Sequence, residues 1–192
     1  FEAMMFLHED ASSSSHKQRV EGLRYTSDDK RQIVQFKRDG VVFSRLEPYE
    51  NWERFTEAAL RMWQSFLQFA APPEVDRLGV RFINRIPGVK PDALDRVFRE
   101  PPTCPAKLPL NEFVYQSTFR VPEEPFAIRV VKLLPPIIAS DVSELFIDCD
   151  VYTTKPVPCD ARSTSESLAK MRTLKNQIFF SLLTDEKLRS FE

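Results

Sequence analysis

Glycine is scarce in this sequence, which has only four glycines in 192 residues. Phosphate-binding loops and nucleophile elbows depend on closely spaced glycines, because these let the backbone turn sharply or approach a ligand. The chain contains no GxGxxG, no Walker-type motif and no GxSxG. The common dinucleotide-binding, P-loop and α/β-hydrolase folds are therefore disfavoured.

Cysteine and histidine are also few, with three and two copies. Cys104, Cys149 and Cys159 form no CxxC pair, and His8 and His16 lie far from them in the sequence. Disulfide frameworks use cysteines in pairs, and structural zinc sites need closely spaced cysteine and histidine ligands. We therefore predict no disulfide framework, no metal site, no cofactor and no Cys–His or Ser–His nucleophile.

Long apolar runs and an excess of one charge are both missing. No apolar stretch reaches the roughly 18 residues that span a bilayer, and no pattern is typical of a signal peptide. We therefore expect a cytoplasmic protein that does not associate with membranes. Lysine and arginine number 27 against 28 acidic residues, a net charge of -1. Since binding to a polyanion rests largely on a basic field, nucleic-acid partners are disfavoured.

Phenylalanine and proline, in contrast, are abundant, with 16 and 15 copies. The phenylalanines predict a bulky core, and the prolines mark connections between elements. Residues 1–22 include the polar run Ser12–Ser15 and little apolar surface, so we expect a mobile N-terminal segment. The remaining residues, 23–192, are predicted to form a single domain.

The first predicted elements are a hairpin and a helix. Ile33–Phe36 and Val41–Ser44 flank an Asp39-Gly40 turn, which is typical of β-hairpins. From about Tyr49 to Phe69, apolar residues recur at three- and four-residue steps while charged residues take the other face. This spacing predicts a long amphipathic helix that ends before Pro72-Pro73.

The rest of the chain reads as strands followed by a second long helix. Strands are predicted over 78–86, 112–121, 126–134 and 144–152, with a short helix over 91–99. Ser163–Glu166 matches a capping box and opens the C-terminal helix, and Thr184 is predicted to cap one further turn. The fold class is therefore α+β: an antiparallel sheet of about five to seven strands, with two long amphipathic helices on one face and the second helix at the C-terminus.

Two carboxylates share one side of a predicted strand. Period-two alternation places Asp148 and Asp150 on the face opposite Ile147 and Cys149. One interpretation is that the pair binds a divalent cation or divides acid and base roles. The other is that the two residues form ion pairs with Arg81 and Arg85 of a neighbouring strand.

Basic residues recur in the predicted strands and suggest a surface that binds anions. Guanidinium groups on one sheet face can bind phosphate or carboxylate groups through paired hydrogen bonds. The same side chains can instead be solvated or paired with carboxylates. Aromatic residues near them could stack on bases, but a phenylalanine-rich core accounts for these rings. The basic candidates are Arg45, Arg81, Arg85, Arg120, Arg129 and Lys132.

Motifs along the chain resemble those of a sporadically distributed family of uncharacterised prokaryotic proteins. The resemblance rests on a Tyr-x-x-Trp helix start at Tyr49–Trp52 and on an RxGxRxxNRI strand at Arg77–Ile86, and it extends to Leu145–Asp150 and the ending Thr184–Arg189. It runs from about residue 30 to the end. Members of that family are longer at the N-terminus, so the resemblance implies that part of the fold precedes Phe1. It implies no activity.

The sequence thus favours a non-enzymatic binding or interaction domain. Its predicted site is the polar strand set Arg81, Asn84, Arg85, Asp148 and Asp150. The partner would be a protein or a small anionic ligand, and a homo-oligomer is compatible with the sequence. The alternative is an enzyme that acts on a phosphorylated or nucleotide substrate through Asp148 and Asp150.

Overall fold

The α+β fold class predicted from the sequence is confirmed by the structure, a computed structural model that describes residues 2–9, 18–105, 108–136 and 143–191. All strand pairs among these residues are antiparallel. Two long helices are present, and the second lies close to the C-terminus. The described residues contain ten strands in three sheets, where the sequence predicted about five to seven strands in one sheet.

The chain divides into two compact units, Phe1–Pro72 and Pro73–Glu192. The sequence predicted one domain over residues 23–192 instead. The division arises because the predicted hairpin pairs with an N-terminal strand and contacts the first helix, so its contacts are made before residue 73.

The first unit is a four-strand meander with one helix. Its strands are β1 (Glu2–Glu9), β2 (Gln18–Thr26), β3 (Gln32–Lys37) and β4 (Gly40–Arg45), in that order across the sheet. The predicted hairpin is β3–β4, in which Lys37 lies opposite Gly40. Helix α1 (Trp52–Ala70) begins where the Asn51 side chain accepts a hydrogen bond from the Arg54 amide at 2.9 Å.

Strands β1 and β2 correct part of the prediction for the N-terminus. Residues 1–22 were expected to form a mobile segment, but residues 2–9 and 18–22 belong to paired strands. Composition predicts how much apolar surface a segment can bury, but not the backbone hydrogen bonds that a neighbouring strand supplies. The polar run Ser12–Ser15 lies outside the described residues.

Gly22 is required at the pairing of β2 with β3. A Cβ atom at this position would lie 2.2 Å from the Phe36 carbonyl oxygen, which is a backbone atom that cannot move aside alone. The β1–β2 register also shifts beside Gly22, as in a β-bulge. We expect Gly22→Ala to lower the free energy of unfolding of the first unit by about 2 kcal/mol or more.

Urea denaturation followed by tryptophan fluorescence tests this prediction, since Trp52 and Trp63 both lie in the first unit. Gly40→Ala is the matched control, because no atom lies within 4 Å of a Cβ at that glycine. Equal unfolding midpoints for the two variants would contradict the steric role of Gly22.

The second unit is built on a four-stranded sheet in the order β6–β9–β8–β7. These strands are β6 (Gly79–Val89), β7 (Phe113–Arg120), β8 (Phe126–Leu134) and β9 (Ser143–Thr153). Short strands β5 (Glu74–Val75) and β10 (Val157–Pro158) pair separately, and a 3₁₀ turn spans Pro91–Arg96. Helix α2 (Ala161–Leu182) contacts β9 and β6, and α3 (Asp185–Arg189) follows it.

The two faces of this sheet differ as the alternation predicted. On the α2 side, the central strand β9 contributes Leu145, Ile147, Cys149 and Val151, all of which are fully buried. Met171 of α2 is fully buried as well. The opposite side carries Asp148 and Asp150, and this polar side is the candidate functional face.

The ends of α2 and α3 test the capping predictions. Helix α2 begins one turn before the predicted capping box, because the Asp160 side chain accepts a hydrogen bond from the Ser163 amide at 2.8 Å. Hydrogen bonds from Ser163, first from its side chain and then from its backbone amide, lower the pKa of Asp160. Thr184 caps α3 as predicted, accepting from the Lys187 amide at 3.1 Å. Among the described residues, none of these helices has both the length and the apolar character needed to cross a bilayer.

Candidate functional site

Sheet register brings several of the predicted polar residues together on the polar side of the second unit. Asp150 of β9 lies opposite Arg81 of β6 on one flank and Arg129 of β8 on the other. Asp148 lies one pleat further along the same face, opposite Ile83. Since directly opposed residues in a sheet point to the same side, these charged groups form one surface.

Arg81 binds Asp148 through two parallel hydrogen bonds. Its Nε donates to Oδ1 at 2.9 Å and its Nη2 donates to Oδ2 at 2.6 Å. This side-on arrangement is the stronger geometry for an arginine–carboxylate pair. The hydrogen bonds to Asp148 raise the pKa of Arg81 above its ordinary value, so the guanidinium stays charged.

Asp150 is shared by two other arginines. Nη2 of Arg77 and Nη2 of Arg129 donate to the same carboxylate oxygen, Oδ2, at 3.0 and 3.1 Å. The Asp150 side chain is only 7% exposed, while Arg77 and Arg129 are 54% and 40% exposed. The carboxylate is therefore covered by two guanidinium groups that themselves face solvent.

Arg77 was not among the residues predicted for the site, because it precedes β6 and alternation assigns it to no face. Its guanidinium lies 4.4 Å from the centre of the Tyr152 ring, in a cation–π contact. Gly79, directly opposite Tyr152, leaves the space that this requires, since a Cβ there would lie 3.1 Å from Nη1 of Arg77. In the sequence, Gly79 was the one indication that the side chain of Arg77 could reach this face.

Arg85 and Asn84 occupy different places from the pairs above. Arg85 lies on the same face and approaches Glu144 at 3.6 Å, with both side chains about half exposed. Asn84 points to the α2 side, where its Nδ2 donates to the Ile147 carbonyl oxygen at 3.1 Å. Of the predicted set, Arg81, Arg85, Asp148 and Asp150 thus share a surface, and Asn84 does not.

The wider set of basic candidates separates in the same way. Arg120 and Arg129 lie on the face of Arg81 by register. Lys132 lies on the opposite face and is buried, and Arg45 lies in the first unit beside Glu50. Four of the six basic candidates, Arg81, Arg85, Arg120 and Arg129, therefore share one surface, and Arg45 and Lys132 do not.

We call this surface the arginine face. Its charged members in the described part of the unit include five arginines and four carboxylates: Arg77, Arg81, Arg85, Arg120, Arg129, Glu112, Glu144, Asp148 and Asp150. Arginines thus outnumber carboxylates in a chain whose net charge is -1. The excess is a local basic patch that overall composition conceals.

The three cysteines differ in burial: Cys104 is exposed, Cys149 is buried and Cys159 is partly exposed. No group of three or more metal-ligating side chains occurs in the part of the chain that the structure describes. Burial raises the pKa of Cys149 to about 11, so this thiol remains protonated at neutral pH. All three cysteines are free.

Comparisons of the chain with protein-family models, with curated proteins and with solved structures gave no match.

Proposed function

We propose that this protein is a non-enzymatic binding domain whose arginine face binds acidic groups, either carboxylate or phosphate, carried by a small molecule or by a partner protein. The observation that supports this proposal is the sharing of Asp150 by Arg77 and Arg129. Each guanidinium has five N–H groups and uses few of them on this carboxylate, so donors remain for a ligand at the exposed edges.

The ion pairs also orient the arginines in advance. A free arginine loses side-chain entropy when it binds a ligand, which weakens the net interaction. Arg81 is already held by two parallel hydrogen bonds, and Arg77 by a carboxylate and an aromatic ring. A ligand that contacts these groups therefore pays less of that ordering cost.

The alternative, an enzyme that uses Asp148 and Asp150, has less support. Both carboxylates already accept hydrogen bonds from arginines, so their oxygens are occupied by guanidinium groups. A metal ion would have to displace these guanidinium groups. The alternative predicts binding of Mg²⁺ or Mn²⁺ that is lost in Asp150→Asn.

We further propose that the protein works in the cytoplasm, where free thiols such as these persist. We also propose that the chain belongs to the uncharacterised prokaryotic family whose strand motif is similar to Arg77–Ile86. In that motif, Arg77, Gly79, Arg81 and Arg85 all contribute to the arginine face or make room for it. A shared anion-binding surface would give one physical reason for their spacing.

Single substitutions can test the site without unpairing Asp150, because Arg77 and Arg129 contact the same oxygen. We expect inorganic phosphate and citrate to bind saturably to the wild type in titration calorimetry. Arg77→Ala and Arg129→Ala should each weaken that binding by about tenfold or more. An acidic peptide tested in parallel distinguishes a partner protein from a small ligand.

Arg162→Ala is the matched control. Arg162 is also paired with a carboxylate, Glu166 at 2.8 Å, but it lies 88% exposed on α2 and away from the arginine face. Its removal should leave phosphate and citrate binding unchanged. Binding that falls equally in Arg162→Ala and Arg77→Ala, or that is absent from the wild type, would overturn the proposed function.

A further inference from the structure

Strand β7 is an open edge of the sheet in the second unit. It is the last strand in the order β6–β9–β8–β7, and within the described residues its outer backbone groups pair with no other strand. Its side chains are unusually exposed for apolar residues: Val114 is 70%, Tyr115 56% and Phe119 49% exposed. An apolar edge of this length is a template for another strand.

The opposite edge of the same sheet differs from β7. Strand β6 contains Pro87, an irregular register near Ile86, and two charged side chains, Arg81 and Arg85. Prolines, bulges and charges are the usual means of preventing edge-to-edge pairing. Strand β7 has no proline, glycine or lysine and has a single charged residue, Arg120, at its end.

Opposite charges stand at the two ends of β7. Glu112 immediately precedes the strand and Arg120 is its last residue. Both are exposed, and neither makes an ion pair within the described chain. The strand is therefore complementary to an antiparallel copy of itself, because each end would meet the opposite charge.

Symmetry restricts how two β7 strands can pair. Antiparallel strands of identical chains are related by a two-fold axis perpendicular to the sheet, which keeps each face on its own side. Directly opposed residues must share a face, so one residue has to lie opposite its own copy. If that residue is Gln116, Glu112 faces Arg120 of the second copy at both ends, and Phe113 faces Phe119.

We propose that two copies of this chain associate through their β7 strands in this register, with Gln116 at the two-fold axis. The two four-stranded sheets then become one continuous sheet. Because the axis is perpendicular to the sheet, both arginine faces lie on one side. Helix α2 has its main contacts with β9 and β6, towards the other end of the strand order from β7. The proposal does not depend on what the arginine face binds.

A charge exchange tests the ends of the interface. We expect the full chain to self-associate reversibly in sedimentation equilibrium. Glu112→Arg and Arg120→Glu should each raise the dimer dissociation constant by about tenfold or more, since like charges then oppose each other at both ends. The double variant should restore the wild-type constant. A monomeric wild type, or a double variant that is no better than the single ones, would overturn the proposal.

A cysteine placed at the axis tests the register. In a background with Cys104→Ser and Cys159→Ser, Gln116→Cys should form a disulfide-linked dimer on mild oxidation, because opposed Cα atoms lie about 4.5–5.5 Å apart. Thr118→Cys is the control, since its two copies would be about 14 Å apart. Equal cross-linking of both variants, or none at residue 116, would contradict the register.

Discussion

Phe98→Ala should lower the free energy of unfolding of the second unit by about 3–5 kcal/mol, which is the usual cost of removing a fully buried ring. Phe98 is 1% exposed and follows the 3₁₀ turn. It forms an isolated bridge with Leu183, and the Arg99 amide donates to the Leu182 carbonyl oxygen at 3.0 Å. The cavity would therefore open where the chain after β6 meets the end of α2.

Hydrogen exchange of the β9 amides measures this loss within the second unit. Phe180→Ala is the control, because Phe180 of α2 is 50% exposed and its removal leaves little cavity. We expect the control to cost about 1 kcal/mol or less. If the two variants exchange at the same rate, Phe98 is not the anchor of this contact.

Lys132→Glu should destabilise the second unit by about 3 kcal/mol or more, because it would bury a carboxylate with no partner. Lys132 is 7% exposed, and its Nζ lies 4.7 and 5.0 Å from the ring centres of Phe98 and Tyr115. It also donates to the Glu100 carbonyl oxygen at 3.2 Å. All three neighbours present negative potential, which suits a cation and repels an anion.

Lys132→Met separates the charge from the packing. Methionine has a similar shape, so we expect this variant to lie within about 1.5 kcal/mol of the wild type. Urea denaturation followed by circular dichroism compares the two variants. A Lys132→Glu variant as stable as Lys132→Met would show that position 132 is hydrated in solution.

The same residue predicts a pH dependence. Burial lowers the pKa of Lys132 below its ordinary value. Between the folded and unfolded pKa values the unfolded chain binds more protons, so the contribution of Lys132 to stability rises with pH in that window. The wild type should therefore gain stability relative to Lys132→Met as the pH rises from that lowered pKa towards the ordinary lysine pKa of about 10.4. A difference in stability between the two proteins that does not change with pH would contradict the lowered pKa of Lys132.

The order of elements could be predicted wherever local signals were strong. The Asp39-Gly40 turn fixed the hairpin, and proline pairs marked connections between helices and strands. The division into two units was not predicted, because residues 18–22 of β2 were assigned to the mobile segment and the pairing of β2 with β3 was therefore missed. The helix cap at Asp160 was missed because Ser163 offered an equally good local motif.

The candidate site was predicted in part. Alternation placed Asp148 and Asp150 on one face, and Arg81 proved to bind Asp148. The partners of Asp150 are Arg77 and Arg129. The sequence analysis had considered Arg81 and Arg85 instead. Strand order decides which strands are neighbours, and alternation does not reveal that Arg129 of β8 lies beside Asp150. Arg77 lies in the connection before β6 and reaches Asp150 past Gly79, so alternation does not apply to it.

Anion binding by the arginine face can be observed at the arginine side chains themselves, through their chemical shifts. Inorganic phosphate would be titrated into the full chain labelled with ¹⁵N, and the Nε–H signals of the arginines followed. If phosphate binds at this face, Arg77, Arg81 and Arg129 should show saturable shifts with one common dissociation constant, while Arg162 stays unchanged. Equal, unsaturable shifts of every arginine would contradict it, because they would show only general screening by the added anion.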